Sequence, residues 1–248
     1  MRTYKTSEVA AIVGLHPNSV RLYEEWGFIP KPERKANGYR IYTDVHVEQI
    51  QLARTALKCE IVQGGIRKRA INIIFTSAAR DYDQAINQTK AYIRAIADAT
   101  RRAEEALDIV NHIIAEPNQS LKPMQLTRKQ TAVLLGVTID TLRNWELNGL
   151  FAVKRKANGY RVYNEADIQR LKIIYALRAA NYSLTAILRM LGDLASSQNL
   201  DLKNSIDVPK ETEHIISACD RLLTSLKEVA QNAQCILNKL YEMKSKFN

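Results

Sequence analysis

Nine consecutive residues, Arg34-Lys35-Ala36-Asn37-Gly38-Tyr39-Arg40-Ile41-Tyr42, return as Arg155-Lys156-Ala157-Asn158-Gly159-Tyr160-Arg161-Val162-Tyr163, with a single Ile-to-Val exchange. The likeness extends upstream. Gly14-Leu15 corresponds to Gly136-Val137, Arg21-Leu22-Tyr23-Glu24 to Arg143-Asn144-Trp145-Glu146, and Gly27-Phe28 to Gly149-Leu150. The spacing between equivalent residues is 122 up to Phe28 and 121 from Arg34 onward, so the second copy lacks one loop residue. Self-similarity of this kind means that one supersecondary unit is built twice, and any fold assigned must accommodate both copies.

Each copy reads as the same series of elements. Residues 6–13 suit a short helix ended by Gly14, and Pro17 suits the first position of a second helix running to about Trp26. In the second copy Thr127 and Gln130 make a capping box, Gly136 ends the first helix and Thr138 caps the next. Two helices joined by a tight glycine turn are the helix-turn-helix signature. Phe28-Ile29 and Tyr39-Arg40-Ile41-Tyr42 then read as two short strands around a basic loop with Asn37-Gly38 at its turn, a hairpin wing. A further helix starts near Thr43-Asp44, or Asn164-Glu165, with Val47, Ile50 and Ala53 matching Ile168, Leu171 and Ile174. Where a fourth helix should begin, the first copy has Gly64-Gly65 and the second has Ser183 as a cap. Pro32 of the first wing has no counterpart in the second.

The formal charge of +10 is unevenly placed. Residues 1–79 hold 12 basic and 7 acidic side chains, and 121–195 hold 12 and 5, whereas 80–118 hold 5 and 7 and 205–248 hold 6 and 6. Two separate basic blocks suit two phosphate-facing modules. No apolar run is long enough to span a bilayer, and Met1-Arg2-Thr3-Tyr4-Lys5 does not read as a signal peptide. With three dispersed cysteines, Cys59, Cys219 and Cys235, the expectation is a cytoplasmic, nucleoid-associated protein without disulfides.

Behind each module lies an unbroken heptad pattern. Tyr82, Ile86, Thr89, Ile93, Ile96, Thr100, Ala103, Leu107, Val110 and Ile114 step alternately by four and three. So do Ile215, Cys219, Leu222, Leu226, Val229, Ala233, Ile236, Leu240, Met243 and Phe247. Such stepping keeps one seam facing a partner helix. The expected organisation is a first winged helix-turn-helix over 1–79, a coiled-coil helix over 80–114 and a linker over 115–125. A second winged helix-turn-helix over 126–196, a linker over 197–209 and a second coiled-coil helix over 210–248 follow. The fold class is mostly α, with small β-hairpin wings.

Arg-x-(Tyr/Trp)-Glu, then Gly-(Phe/Leu), then Gly-Tyr-Arg-(Ile/Val)-Tyr resembles the DNA-binding domain of the mercury-resistance regulator (MerR) family, over about 75 residues in each half. The resemblance implies that the long helices correspond to the family's dimerisation helix, which pairs antiparallel with its copy. Within one chain this suggests a pseudo-dimer, one polypeptide standing in for two subunits, with a homodimer carrying four modules as the rival. The linker is long enough, since eleven extended residues reach up to ~36 Å. Metal-sensing members carry cysteines at the ends of that helix. Here Cys219 falls on the seam, where a small apolar side chain explains it, Cys235 is off the seam and Cys59 belongs to the first module. His16, His46, His112 and His214 are scattered, so no metal site, cofactor or catalytic centre is expected. Drug-sensing members have an effector domain after the helix, and none is expected here.

The second helix of a helix-turn-helix enters the major groove with its N-terminal residues at the base edges. Asn18 and Ser19 hold that place in the first copy, Asp140 and Thr141 in the second. Arg21 and Arg143, one turn on, suit phosphate contact, as the resemblance also implies. Tyr23 and Trp145 either reach the DNA backbone or pack against the first helix. In the wings, Arg34, Lys35, Tyr39 and Arg40, with Arg155, Lys156, Tyr160 and Arg161, suit phosphate positioning, whereas Tyr42 and Tyr163 suit the module core. Unequal reading helices predict unequal half-sites. Two functions fit: a transcription regulator on an asymmetric operator, acting with RNA polymerase at a promoter, or a chromosome- or plasmid-organising DNA binder that senses no ligand.

Overall fold

The computed structural model describes residues 2–115, 125–153, 161–196, 201–209 and 218–247. It divides into two compact units, one of residues 1–98 with 226–248 and the other of residues 99–225. Each unit holds one of the repeated modules.

In the first unit, α1 (Thr6–Val13) ends at Gly14, which adopts the left-handed conformation at φ +63° and closes the helix with bonds to the Ala10 and Ala11 carbonyls. α2 (Pro17–Glu25) starts on Pro17, with the His16 ring accepting from the Asn18 amide at 3.2 Å. The wing is β2 (Glu33–Arg34) against β3 (Arg40–Thr43), antiparallel, with Arg34 opposite Arg40. An N-terminal strand, β1 (Thr3–Tyr4), pairs with the other edge of β3, giving the order β1-β3-β2. Phe28-Ile29 is therefore not a strand of the wing. Phe28 is 9 % and Ile29 3 % exposed, and the Phe28 ring packs edge-on to Tyr23 at 5.8 Å and to Phe75 at 5.4 Å. Their apolar, β-prone character serves the core rather than a ladder.

α3 (Asp44–Leu57) and α4 (Ile66–Ala78) complete the module. Val47, Ile50 and Ala53 of α3 are buried, as their spacing predicts. The buried Gln49 amide donates to the carbonyls of Phe28 at 3.0 Å and Ile74 at 3.1 Å, fastening the wing entrance and α4 onto α3. α5 (Tyr82–Ala115) contributes its first half to this unit, with Tyr82, Ile86, Thr89 and Ile96 buried on the seam. Tyr92, off the seam, is also buried.

In the second unit, α6 (Arg128–Leu135) carries the Thr127–Gln130 capping box and ends at Gly136, φ +66°. α7 (Ile139–Leu147) is capped by the Thr138 hydroxyl, which accepts from the Thr141 amide at 3.0 Å. Leu126 and Tyr163 exchange both backbone hydrogen bonds at 2.9 Å, the counterpart of the Tyr4–Tyr42 pairing. α8 (Glu165–Ala179) buries Ile168, Leu171 and Ile174. Where the first copy uses Gln49, Arg170 donates to the Leu150 carbonyl at 2.7 Å, so one tether is made by two different side chains. Ser183 caps α9 (Leu184–Ser196) by accepting from the Ala186 amide at 2.9 Å. Tyr182, fully buried, donates to the Ala103 carbonyl of α5 at 3.3 Å.

The stretch 197–209, read as a linker, contains a helix, α10 (Leu202–Asp207), capped by Asp201 and burying Leu202 and Ile206. Arg189, 7 % exposed, staples it to α9 through the carbonyls of Ser205 at 2.9 Å and Ile206 at 2.7 Å. A 3-10 turn, Ala218–Arg221, precedes α11 (Leu222–Phe247), whose start is capped by Asp207 accepting from the Leu223 and Thr224 amides. α11 therefore begins later than the heptad pattern, and Ile215 and His214 lie outside the described residues. From Leu226 onward α11 belongs to the first unit, with Leu226, Val229, Ala233, Ile236, Leu240 and Met243 buried. There Lys244 bonds Asp83, Lys90 lies 5.9 Å from the Tyr241 ring, and Lys239 and Lys246 both reach Glu48 of α3.

Candidate nucleic-acid interface

In the first module, Asn18 is exposed at the start of α2, with Ser19 partly covered behind it. Arg21 is exposed one turn on, and its guanidinium donates to the Asn18 side-chain oxygen at 2.9 Å. The Asn18 amide and the Arg21 guanidinium thus hold one another in place on a single helix face. Tyr23 is not displayed with them. It is 8 % exposed, its ring lies among Trp26 and Phe28, and burial pushes its hydroxyl pKa up.

The wing tip is built by backbone geometry. Gly38 sits at φ +82°, where an L side chain is strained, and this lets the Gly38 amide reach the Lys35 carbonyl and the Lys35 amide the Tyr39 carbonyl, both at 2.8 Å. Lys35 and Tyr39 are exposed at that tip, Tyr39 at 72 %. Arg34 is exposed as well, and Arg40 is half-buried. Both approach Glu24 of α2, Arg40 through Nε in a short bond and Arg34 at 3.7 Å. The Glu24 side chain is only 9 % exposed.

The second module repeats this with different partners. Asp140 is exposed at the start of α7, Thr141 partly covered and Arg143 exposed. Trp145 is 5 % exposed and belongs to the core. Glu146 accepts from Arg161 Nε at 2.7 Å, the counterpart of the Arg40–Glu24 bond, and from Arg128 of α6 at 2.6 Å. Arg155, Lys156 and Tyr160 lie outside the described residues.

The sequence reading missed Glu24, Glu146 and Arg128. For the glutamates a signal was present, since both end the repeated Arg-x-(Tyr/Trp)-Glu motif and their partners Arg40 and Arg161 sit in the repeated wing; for Arg128, which has Thr6 at the equivalent place, there was none. What a motif does not state is which of its members touch. It also missed His16 as a cap, because a ring nitrogen replaces the hydroxyl that Thr138 supplies at the equivalent place.

Among the described residues, no group of three or more His, Cys, Asp and Glu side chains is arranged to hold a metal ion, and no helix is long and apolar enough to cross a membrane. Cys59 and Cys219 are buried and Cys235 is exposed.

Comparison with known proteins places this geometry in context. A family model described as MerR HTH family regulatory protein matches residues 4–68 and 126–194, once for each module. The chain is 30 % identical over 128 residues, 52 % of its length and 78 % of the relative's, to the HTH-type transcriptional regulator CueR of Escherichia coli O6:H1. It is 31 % identical over 114 residues, 45 % and 79 % of the two lengths, to the protein of the same name from Escherichia coli O157:H7. To the transcriptional regulator BrlR of Pseudomonas aeruginosa it is 36 % identical over 104 residues, 41 % and 38 % of the two lengths. No solved structure matches it.

Proposed function

From the premise that this chain belongs to the MerR HTH family of regulatory proteins, we propose that it regulates transcription as a single-chain pseudo-dimer on double-stranded DNA. Its two modules read two unequal half-sites, and RNA polymerase at the same promoter is the machinery it acts upon. The observation that carries this reading is the composition of the two units. Each combines one winged helix-turn-helix with part of α5 and part of α11, so the closing helix of the chain is built into the unit of the opening module. Lys244 with Asp83 and Lys90 with Tyr241 fall in opposite chain order, which supports antiparallel pairing of the two helices in that unit. In a family whose subunits pair through such helices, a chain that carries both needs no second copy.

Charge supports the DNA-facing side. Arg21, Lys35 and Tyr39 are exposed together with Asn18 on the first module, and Arg143 with Asp140 on the second. Lys and Arg contacts to phosphate fix register, while the residues at the helix starts read bases.

Sedimentation equilibrium, on the protein alone and with duplexes it selects from a random pool, tests both parts. The expected result is a mass near 28.2 kDa for the free protein and one chain per duplex. Twice that mass at low concentration would overturn the pseudo-dimer, and a pool from which nothing is retained would overturn the DNA reading.

A further inference from the structure

Glu24 and Glu146 pose an electrostatic puzzle. Each lies on the helix assigned to the major groove, where a carboxylate faces a polyanion and repels it. Each is nevertheless bound to the wing arginine at the equivalent place of its module, Arg40 or Arg161, and in both cases through Nε. An arginine has a planar guanidinium with five donors in a fixed fork. Holding Nε fixes the plane and leaves the terminal Nη groups on the far edge. Neither guanidinium makes a further hydrogen bond to a described residue. A second cation accompanies each carboxylate, Arg34 at 3.7 Å from Glu24 and Arg128 at 2.6 Å from Glu146, so each cluster is positive on balance.

We propose that Glu24 and Glu146 are positioning residues that aim Arg40 and Arg161 at DNA phosphates, each taking Nε so that the Nη edge meets the backbone. This rests on the DNA-binding reading of the wings and adds to it a role for the acid of the repeated motif. The two modules differ in how the acid itself is held. In the first, the partner is another wing residue. In the second, it is Arg128 on α6, standing where the first module has Thr6 and also 3.4 Å from the Tyr163 hydroxyl.

The two explanations predict opposite signs. If the glutamate is only a nearby negative charge, removing it tightens binding to DNA. If it aims the arginine, removing it weakens binding. The test is fluorescence titration of the full chain with a mixed-sequence duplex of about 40 base pairs between about 50 and 200 mM salt. Arg40→Ala and Glu24→Ala should each weaken binding, by about tenfold, and lower the salt slope by about one. The double variant should bind no worse than Arg40→Ala alone, because the acid acts only through the arginine. The same pattern is expected for Glu146→Ala and Arg161→Ala. Glu24→Gln, which is nearly isosteric and keeps an acceptor, carries the test if Glu24→Ala does not fold: its binding should lie between that of the wild type and Arg40→Ala. Unchanged or tighter binding by the glutamate variants, with Arg40→Ala weakened, would overturn the aiming role and leave the wing reading intact. Arg40→Ala binding like the wild type would overturn the wing reading itself.

Discussion

His46, the third residue of α3, is 5 % exposed, and its Nδ1 accepts from the Thr43 amide at 3.0 Å. Burial, followed by the positive charge of Arg80, pushes its pKa down from 6.5 to about 4. Between those values the unfolded chain holds a proton that the folded chain refuses, so stability falls as pH falls from 6.5 toward 4. The full loss is at most about 3 to 4 kcal/mol, since each pKa unit is worth ~1.4 kcal/mol. Denaturant midpoints at pH 7 and pH 5 should therefore separate less in His46→Gln than in the wild type. Equal separation in the two would show that this ring is not the titrating group. His46 also marks what the sequence reading could reach at this scale. In the sequence it is only one of four scattered histidines, and no spacing rule announces that it is buried with the Tyr42 ring edge-on at 5.5 Å. Tyr39 and Arg21 were legible as surface groups because turn chemistry and helix phase decide exposure. Tyr23, one residue type at one phase with two possible uses, was not.

Helix boundaries were the most legible elements, because caps are local chemistry. Thr127, Thr138, Asn164 and Ser183 each accept an amide at the start of a helix, and Gly14 and Gly136 each end one. Strands were read less well. β1 and β2 have two residues each, too few to show an alternation, and Phe28-Ile29 imitated a strand by being apolar and β-prone. α10 escaped for the same reason of length: six residues give no period, and the helix is held by Arg189 and Asp201 rather than by propensity. If local caps set the pose of the reading helices, removing one should have a bounded cost. Thr138→Ala leaves the Thr141 amide without its side-chain acceptor. It should lower the unfolding free energy by about 1 kcal/mol. Thermal unfolding of the variant checks this, and a change within error of zero would mean that solvent replaces the hydroxyl at this exposed cap.

Over the whole molecule, one module is built twice with different side chains at equivalent places. The two modules keep the same tether and cap positions while exchanging the residues that fill them, Gln49 for Arg170 and His16 for Thr138, and they brace the motif glutamate from different places, Arg34 of the wing in one and Arg128 of α6 in the other. The side chains at the start of the reading helices also differ, Asn18-Ser19 against Asp140-Thr141, and these are exposed or half-exposed in both. A chain that reads with two different helices has no reason to prefer a palindrome, whereas a homodimer that reads with one helix does. A carboxylate accepts from the cytosine amino group but cannot donate to a purine acceptor, and an amide can do both. Asp140→Asn gives the second helix the side chain that the first already carries at that place. Selection from a random duplex pool should therefore return unequal half-sites for the wild type. For Asp140→Asn it should return a second half-site altered at a single position toward the first, with the first unchanged. A palindrome selected by the wild type, or a change confined to the first half-site, would mean that the two modules do not read the DNA independently.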